Sequence, residues 1–250
     1  MKNLVAASML VLGMAASAHA IPELQLYIEG STYDGTESWV TSNSTYKLWV
    51  IGDLGKPPKN DPFVPTPISH VSLSVAYKAG ETGTITLTPT TATASYGVAD
   101  PSTPSAPIAS FSGSGTQPKL SDGTDLPSHG IYGVGTDWLS FLLGDFTLTD
   151  SPIGDFITSF PVSFPDLGQI NVYDVTVTGF ESGIHFDTYN SVAGANHATK
   201  APFSHDAEGG GGDGGGGGGG GNVVPEPGTF LLLGAGLMGL GLYGRKRSKK

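Results

Sequence analysis

The pattern of apolar and polar residues predicts β-strands along most of the chain after residue 20. In "ELQLYIEG", Leu24, Leu26 and Ile28 alternate with Gln, Tyr and Glu, which is the period of a strand with one buried face. The segments "TYKLWVIG", "HVSLSVAYKAG", "TITLTPT" and "INVYDVTVTGF" repeat this pattern and are rich in β-branched and aromatic residues. No convincing helical period runs through residues 21–222. The pattern predicts an all-β fold, an antiparallel β-sandwich of the jelly-roll or Ig-like type.

Two stretches interrupt the predicted strands, at residues 55–67 and 98–128. Both are rich in proline, and the second is also rich in Ser and Gly. Proline removes backbone donors, and these compositions favour extended, solvated chain, so the two stretches are predicted to be long loops. The strands before the second loop are too few to close a core alone. We therefore expect one exported domain, at residues 21–208.

The chain begins with the features of a secretory signal peptide. Lys2 is followed by the apolar run "LVAASMLVLGMAA" and then by the small residues Ala18 and Ala20 on either side of His19. This order of charge, apolar run and small residues predicts a signal helix at residues 1–20, with cleavage after Ala20. At the other end of the domain, residues 209–222 are almost all glycine, which predicts a flexible linker spanning roughly 20 Å.

Residues 223–250 form the C-terminal segment. Residues 228–244 are uncharged, and a helix of that length spans about 26 Å, slightly less than the hydrocarbon core. Residues 245–250 are basic except for Ser248, and such a cluster stays on the cytoplasmic side of the membrane. This order predicts a single transmembrane helix that crosses the bilayer only marginally. It suits either a temporary anchor or a permanent single-span anchor.

A short motif precedes this segment. Pro225, Glu226 and Pro227, followed by a Gly-rich span and an Arg/Lys cluster, resemble a PEP-CTERM sorting signal. The resemblance implies recognition by an exosortase, a membrane transpeptidase of Gram-negative bacteria that make extracellular polysaccharide. It also implies transient anchoring in the inner membrane, with the domain on the periplasmic side, and then residence at the cell surface or in the extracellular matrix.

A second resemblance concerns the exported domain. The segments "LQLYIEG", "LPSHGI", "IHFDTYN" and "APFSHDAE" are similar to proteins of the choice-of-anchor N family. That family implies display at the cell surface. It supplies no established activity, cofactor or catalytic residue.

Charge and cysteine content exclude several classes of function. Residues 21–222 contain 21 Asp and Glu against six Lys and no Arg, a formal balance of −15. Such a surface repels phosphate backbones, so we expect no nucleic-acid partner. The chain has no cysteine, which excludes disulfides, thiol nucleophiles and thiolate metal sites.

Candidate chemistry in the domain centres on three histidines that have carboxylates close by in sequence. Hydrogen-bonded structural residues are one interpretation, and we favour it. The alternative is a metal site on loop ends, and carboxylate-rich turns such as "SDGTD" suit Ca²⁺. The candidate metal ligands are His129, His185, Asp187, His205 and Asp206. We expect no cofactor, with Ca²⁺ as the alternative.

Familiar catalytic motifs are absent from the sequence. Asp145 with Asp150, or Asp150 with Asp155, could form the carboxylate pair that glycoside hydrolysis requires, but these residues are more simply interpreted as turn residues.

Trp39, Trp49 and Trp138 are interpreted as core or strand-face residues rather than as a platform for sugar stacking. We therefore expect a non-enzymatic structural or binding protein. The alternatives are a carbohydrate- or calcium-binding module of the polysaccharide matrix and a polysaccharide-acting hydrolase.

Overall fold

The computed structural model describes residues 24–35, 38–54, 67–92, 104–120, 122–126, 131–156, 159–190 and 206–211. Within these residues the chain forms twelve strands and no helix. The strands are β1 (Leu24–Ile28), β2 (Thr32–Tyr33), β3 (Ser38–Val40), β4 (Thr45–Asp53), β5 (Ile68–Lys78), β6 (Thr84–Thr90), β7 (Ile108–Ser114), β8 (Thr136–Phe146), β9 (Ser151–Ile153), β10 (Asp166–Thr178), β11 (Ser182–Asn190) and β12 (Asp206–Gly211).

The all-β prediction is confirmed for the described residues. The predicted signal helix at residues 1–20 and the predicted transmembrane helix at residues 228–244 lie outside them. In the part of the chain that the structure describes, no helix has the length and apolarity needed to cross a bilayer.

The strands form two sheets. The smaller sheet has the order β1-β4-β10-β6, with β9 paired to the end of β10, and the larger has the order β2-β3-β12-β11-β5-β8-β7. Strand pairs in both sheets are antiparallel except that β12 runs parallel to β3. The predicted antiparallel arrangement therefore holds at every described strand pair except this one. The cause is that β12 lies between β11 and β3, and it can be antiparallel to only one of them because those two strands run in opposite directions.

One hydrophobic core lies between the two sheets. It contains Leu26 and Val50 from the smaller sheet and Val75 and Phe186 from the larger, all fully buried. Because the side chains of a strand alternate between its faces, these inward residues fix which side chains point outward. The sheets therefore pack face to face, and each also has an outer face.

The outer face of the smaller sheet is covered by the chain that follows β9. Gln25 of β1 anchors this cover, because its Oε1 accepts a hydrogen bond from the Phe156 N–H at 2.8 Å and its Nε2 donates to the Gly154 carbonyl at 3.1 Å. Phe156 packs beside Tyr27 and Trp49, whose rings meet edge to face at 5.3 Å. All five residues of β1 are consequently buried, although the sequence pattern predicted one exposed face.

The predicted strands in β1, β4, β5, β6 and β10 are confirmed. The predicted loop at residues 98–128, in contrast, contains β7. Almost every residue of β7 is exposed, so it shows no alternation of apolar and polar positions. It is held by backbone pairing with β8 rather than by burial, and hydrophobic periodicity therefore does not detect it.

The start of the glycine-rich segment belongs to the folded domain. β12 ends at Gly211 and so extends past the predicted boundary between residues 208 and 209. A Cβ at Gly209 would lie 2.3 Å from the Tyr46 hydroxyl oxygen, and one at Gly210 would lie 2.7 Å from Cγ1 of Val177. Since such distances exclude a side chain, glycine is what allows this strand to insert.

Candidate functional site

Two of the predicted metal ligands, His185 and Asp187, lie on the outer face of the larger sheet. They are two residues apart on β11, so they share a face, and that face is opposite to the one on which Phe186 enters the core. The residues opposite them on β5 are Ala76 and Ser74. His185 is 8% exposed and Asp187 is completely buried.

His185 lies between two carboxylates. Its Nε2 is 3.2 Å from Oδ1 of Asp187, and its Nδ1 is 3.3 Å from Oε1 of Glu208 on β12. An ionised carboxylate only accepts hydrogen bonds, so the imidazole can donate to both carboxylates at once only in its doubly protonated form. That form also carries a positive charge next to the buried carboxylate of Asp187.

Tyr132 extends this group on the other side of Asp187. Its hydroxyl donates to Oδ2 of Asp187 at 2.5 Å. Burial raises the pKa of Tyr132 well above its ordinary value, and the negative charge of Asp187 raises it further. The phenol is therefore neutral and acts as a donor. Tyr132, Asp187, His185 and Glu208 form one hydrogen-bonded chain, which we call the polar chain.

The polar chain is covered by the described residues 117–120, 122–126 and 131–135. Leu126 and Tyr132 from these segments pack with Ala76, Trp138 and Tyr189 into a second small core on the outer face of the sheet. The Leu126 N–H donates to the Pro118 carbonyl, which joins the first two of these segments. The site is thus a buried polar group under an apolar cover, and Asp187 has no exposed surface among the described residues.

This arrangement differs from that of a metal centre. Metal ligands converge on one point, whereas the imidazole here separates the two carboxylates and directs one ring nitrogen at each. Among the described residues no group of three His, Asp or Glu side chains is placed to hold a metal ion. His129, His205 and the side chain of Asp206 lie outside the described residues, so a metal site that uses them stays a prediction.

The carboxylates of the "SDGTD" turn have local partners. Oδ1 of Asp122 accepts from the backbone N–H and the hydroxyl of Thr124, at 3.0 and 2.7 Å. These bonds lower the pKa of Asp122. Asp125 pairs with Lys119. The two carboxylates therefore stabilise their own turn instead of facing a common ion.

The tryptophans are core residues, as the sequence interpretation holds. Trp39 and Trp49 are 4% and 0% exposed, and Trp138 is 0% exposed. Trp39 donates from Nε1 to the Phe156 carbonyl at 2.7 Å, and Trp138 donates to the Thr116 hydroxyl at 3.3 Å. None of the three rings is open for a sugar to stack on.

Two of the three paired aspartates also have nearby partners. Asp145 accepts from the backbone N–H of His70 at 2.7 Å, and Asp150 accepts from the Ser151 hydroxyl at 3.1 Å. Asp155 lies in the chain that follows β9. Tyr132 and Glu208 are functional candidates that the sequence reasoning missed, since they are 53 and 23 residues from His185 and no motif links them.

Comparison with protein families identifies one segment. The family model of the PEP-CTERM protein-sorting motif matches residues 223–247, which include Pro225, Glu226 and Pro227. No curated protein matches the chain, and no solved structure matches it. The resemblance to the choice-of-anchor N family stays a prediction. The sorting motif marks an exported protein that passes through the membrane transiently and is processed by an exosortase-type enzyme.

Proposed function

We propose that this chain is a non-enzymatic protein of the cell surface or extracellular polysaccharide matrix, left there after an exosortase-type transpeptidase has processed its C-terminal segment. The observation that carries the proposal is the match of residues 223–247 to the sorting motif, directly after a folded domain and a glycine-rich segment. The proposed order of parts is signal peptide, β-sandwich domain, linker and sorting signal.

The electrostatics of the domain support a passive role. Its one buried cluster of titratable groups among the described residues is already paired internally, because each ring nitrogen of His185 contacts a carboxylate and Tyr132 contacts the second oxygen of Asp187. A general base or nucleophile must reach a substrate, and Asp187 is completely buried. The polar chain is therefore better suited to holding β11, β12 and the cover together than to catalysis.

The short apolar segment supports a temporary anchor rather than a permanent one. Residues 228–244 include four glycines in the interior of the span and give a helix of about 26 Å. A span that is short and weak in helix propensity is held less firmly than one of about 20 apolar residues. The basic cluster after it fixes its orientation while Pro225, Glu226 and Pro227 face the periplasm.

The test is mass spectrometry of the protein recovered from its native host, for the natural sequence and for a variant with Pro225, Glu226 and Pro227 replaced by alanine. The natural protein should end near Pro225 and leave the membrane fraction, while the triple variant should keep Lys250 and remain there. The matched control replaces Gly217, Gly218 and Gly219 by alanine, in the glycine-rich segment before the matched residues, and should be processed normally. An intact Lys250 in all of the natural protein would instead establish a permanent single-span anchor.

A further inference from the structure

A cleft lies away from the polar chain and takes no part in it. Its volume is about 420 Å³, within the range of small-molecule sites, and it is lined by the C-terminal end of β8 and the N-terminal half of β10. Its apolar wall is made by Ile108, Leu142 and Leu148, and its polar lining by Asp145, Gln169 and Asn171. None of these residues is used in the proposed sorting.

Two backbone irregularities place Asp145 at this cleft. The pairing of β5 with β8 shifts register between Ile68 and Val71, so β5 bulges at His70. His70 has a φ of 55° and is the one non-glycine residue with positive φ among those described. Its N–H thereby reaches Oδ1 of Asp145 at 2.7 Å. Gly144, immediately before Asp145, has a φ of 98°. Only His70 is strained by its positive φ, because glycine adopts such a φ freely, and strained non-glycine residues are concentrated at functional sites.

Two buried amides belong to the polar lining of the cleft, and hydrogen bonds fix their orientation. Oε1 of Gln169 accepts from the backbone N–H groups of Thr147 and Leu148, at 2.8 and 3.0 Å. Its Nε2 donates to Oδ1 of Asn171 at 3.0 Å, and Nδ2 of Asn171 donates to the Tyr173 hydroxyl at 3.4 Å. Each NH₂ group has two hydrogens, and these bonds use one of each. The cleft therefore offers amide N–H donors whose positions are set before any ligand arrives.

These groups together select a class of ligand. A carboxylate accepts hydrogen bonds, amide N–H groups donate them, and a sugar hydroxyl does both, while the C–H face of a sugar ring suits an aliphatic wall. None of the described residues lining the cleft is basic. Asp145 and the −15 balance of residues 21–222 disfavour an anionic ligand. We propose that this cleft binds a neutral saccharide, a function beyond the sorting and display proposed above.

The experiment uses the full chain, exported and purified in a detergent whose head group carries no sugar. Calorimetry and saturation-transfer NMR measure binding of maltose, cellobiose and diacetylchitobiose at up to about 10 mM, the weak end of specific affinity. Digalacturonate serves as the anionic comparison. At least one neutral disaccharide should bind and digalacturonate should not.

Matched variants locate the binding. Asp145→Asn should weaken it about tenfold, because the neutral amide oxygen of asparagine accepts a weaker hydrogen bond than a carboxylate does. Asp174→Asn should leave it unchanged, and the two side chains are equally exposed, at 54% and 55%. Ile108→Ser should weaken binding by removing the wall, whereas Val134→Ser should not, and both positions are exposed enough to spare the fold.

Three outcomes would overturn the proposal: no neutral disaccharide binds, binding is the same in Asp145→Asn and Asp174→Asn, or a peptide competes fully for the cleft. Release of new reducing ends from a bound oligosaccharide would leave the binding proposal standing. It would instead refute the non-enzymatic function. The sorting test depends on residues 223–247 alone, so its failure and the failure of this proposal are separate results.

Discussion

Replacing Gly209 or Gly210 by alanine should destabilise the domain, although both belong to a glycine run whose sequence suggests a linker. A Cβ at Gly209 would lie 2.3 Å from the Tyr46 hydroxyl oxygen and 2.5 Å from its Cζ. A Cβ at Gly210 would lie 2.7 Å from Val177, and the residue has a φ of +75°. Gly209→Ala therefore introduces a steric clash, and Gly210→Ala introduces a clash together with backbone strain.

A third glycine separates the cost of backbone strain from the cost of the steric clash. Gly80 has a φ of +86°, and a Cβ added there would meet nothing within 4 Å, so Gly80→Ala introduces strain alone. Left-handed backbone costs a non-glycine residue about 1–2 kcal/mol. Overpacking costs about 1–3 kcal/mol. We expect losses in the free energy of unfolding of about 1–2 kcal/mol at Gly80, about 1–3 kcal/mol at Gly209, and about 2–5 kcal/mol, the sum of both effects, at Gly210.

The assay is urea unfolding of the exported protein, followed by tryptophan fluorescence. Three buried tryptophans report on the core, and the free energies compare directly if the slope with urea is the same in each variant. If Gly209→Ala and Gly210→Ala lower the free energy of unfolding by no more than Gly80→Ala does, β12 does not pack against Tyr46 and Val177. The folded domain would then end before residue 209.

Two further predictions concern the titratable groups. Asp187→Ala should lower the free energy of unfolding by about 3–5 kcal/mol, because it leaves the buried His185 and Tyr132 without their shared acceptor. Asp187→Asn should lower it by less. Equal losses in both variants, measured by urea unfolding, would contradict this account. Burial raises the pKa of Tyr173 and of Tyr189 to about 12, and that of Tyr132 well above its ordinary value. The folded protein therefore keeps protons that the unfolded chain releases near pH 10, so stability should hold below that pH and fall as pH rises towards 12. Tyrosinate absorbance and unfolding, measured together, check this prediction, which fails if these tyrosines ionise near pH 10 in the folded protein.

Sequence periodicity predicts strands well where side-chain burial determines them. β4 and β10 carry the apolar residues of the shared core, and their segments stand out in the sequence. β7 does not, because backbone pairing with β8 holds it while its side chains face solvent. In β1, the alternating pattern predicts that Gln25 faces solvent, yet it is buried by the chain that follows β9. Phe156 is 131 residues from Gln25 in the sequence, so the pattern around Gln25 does not reveal that the chain near Phe156 covers it.

The candidate site was predictable only within one strand. His185 and Asp187 are two residues apart on one strand, and side chains of a strand alternate between its two faces. The sequence spacing alone therefore predicts that they share a face. Glu208 joins them because β12 pairs with β11, and Tyr132 joins them because the cover folds over the sheet. Both are long-range contacts. The sorting motif needs no such folding, since the order of residues along the chain defines it.

The position of β12 has a mechanical consequence. Gly211 ends the last described strand, so a pull on its C-terminal end acts along β12. β12 has a neighbour on each edge, β11 on one and β3 on the other. A pull along the strand shears both ladders at once, because their hydrogen bonds lie across the direction of the force. A strand at the rim of a sheet would peel away one bond at a time, whereas this one resists until many bonds yield together.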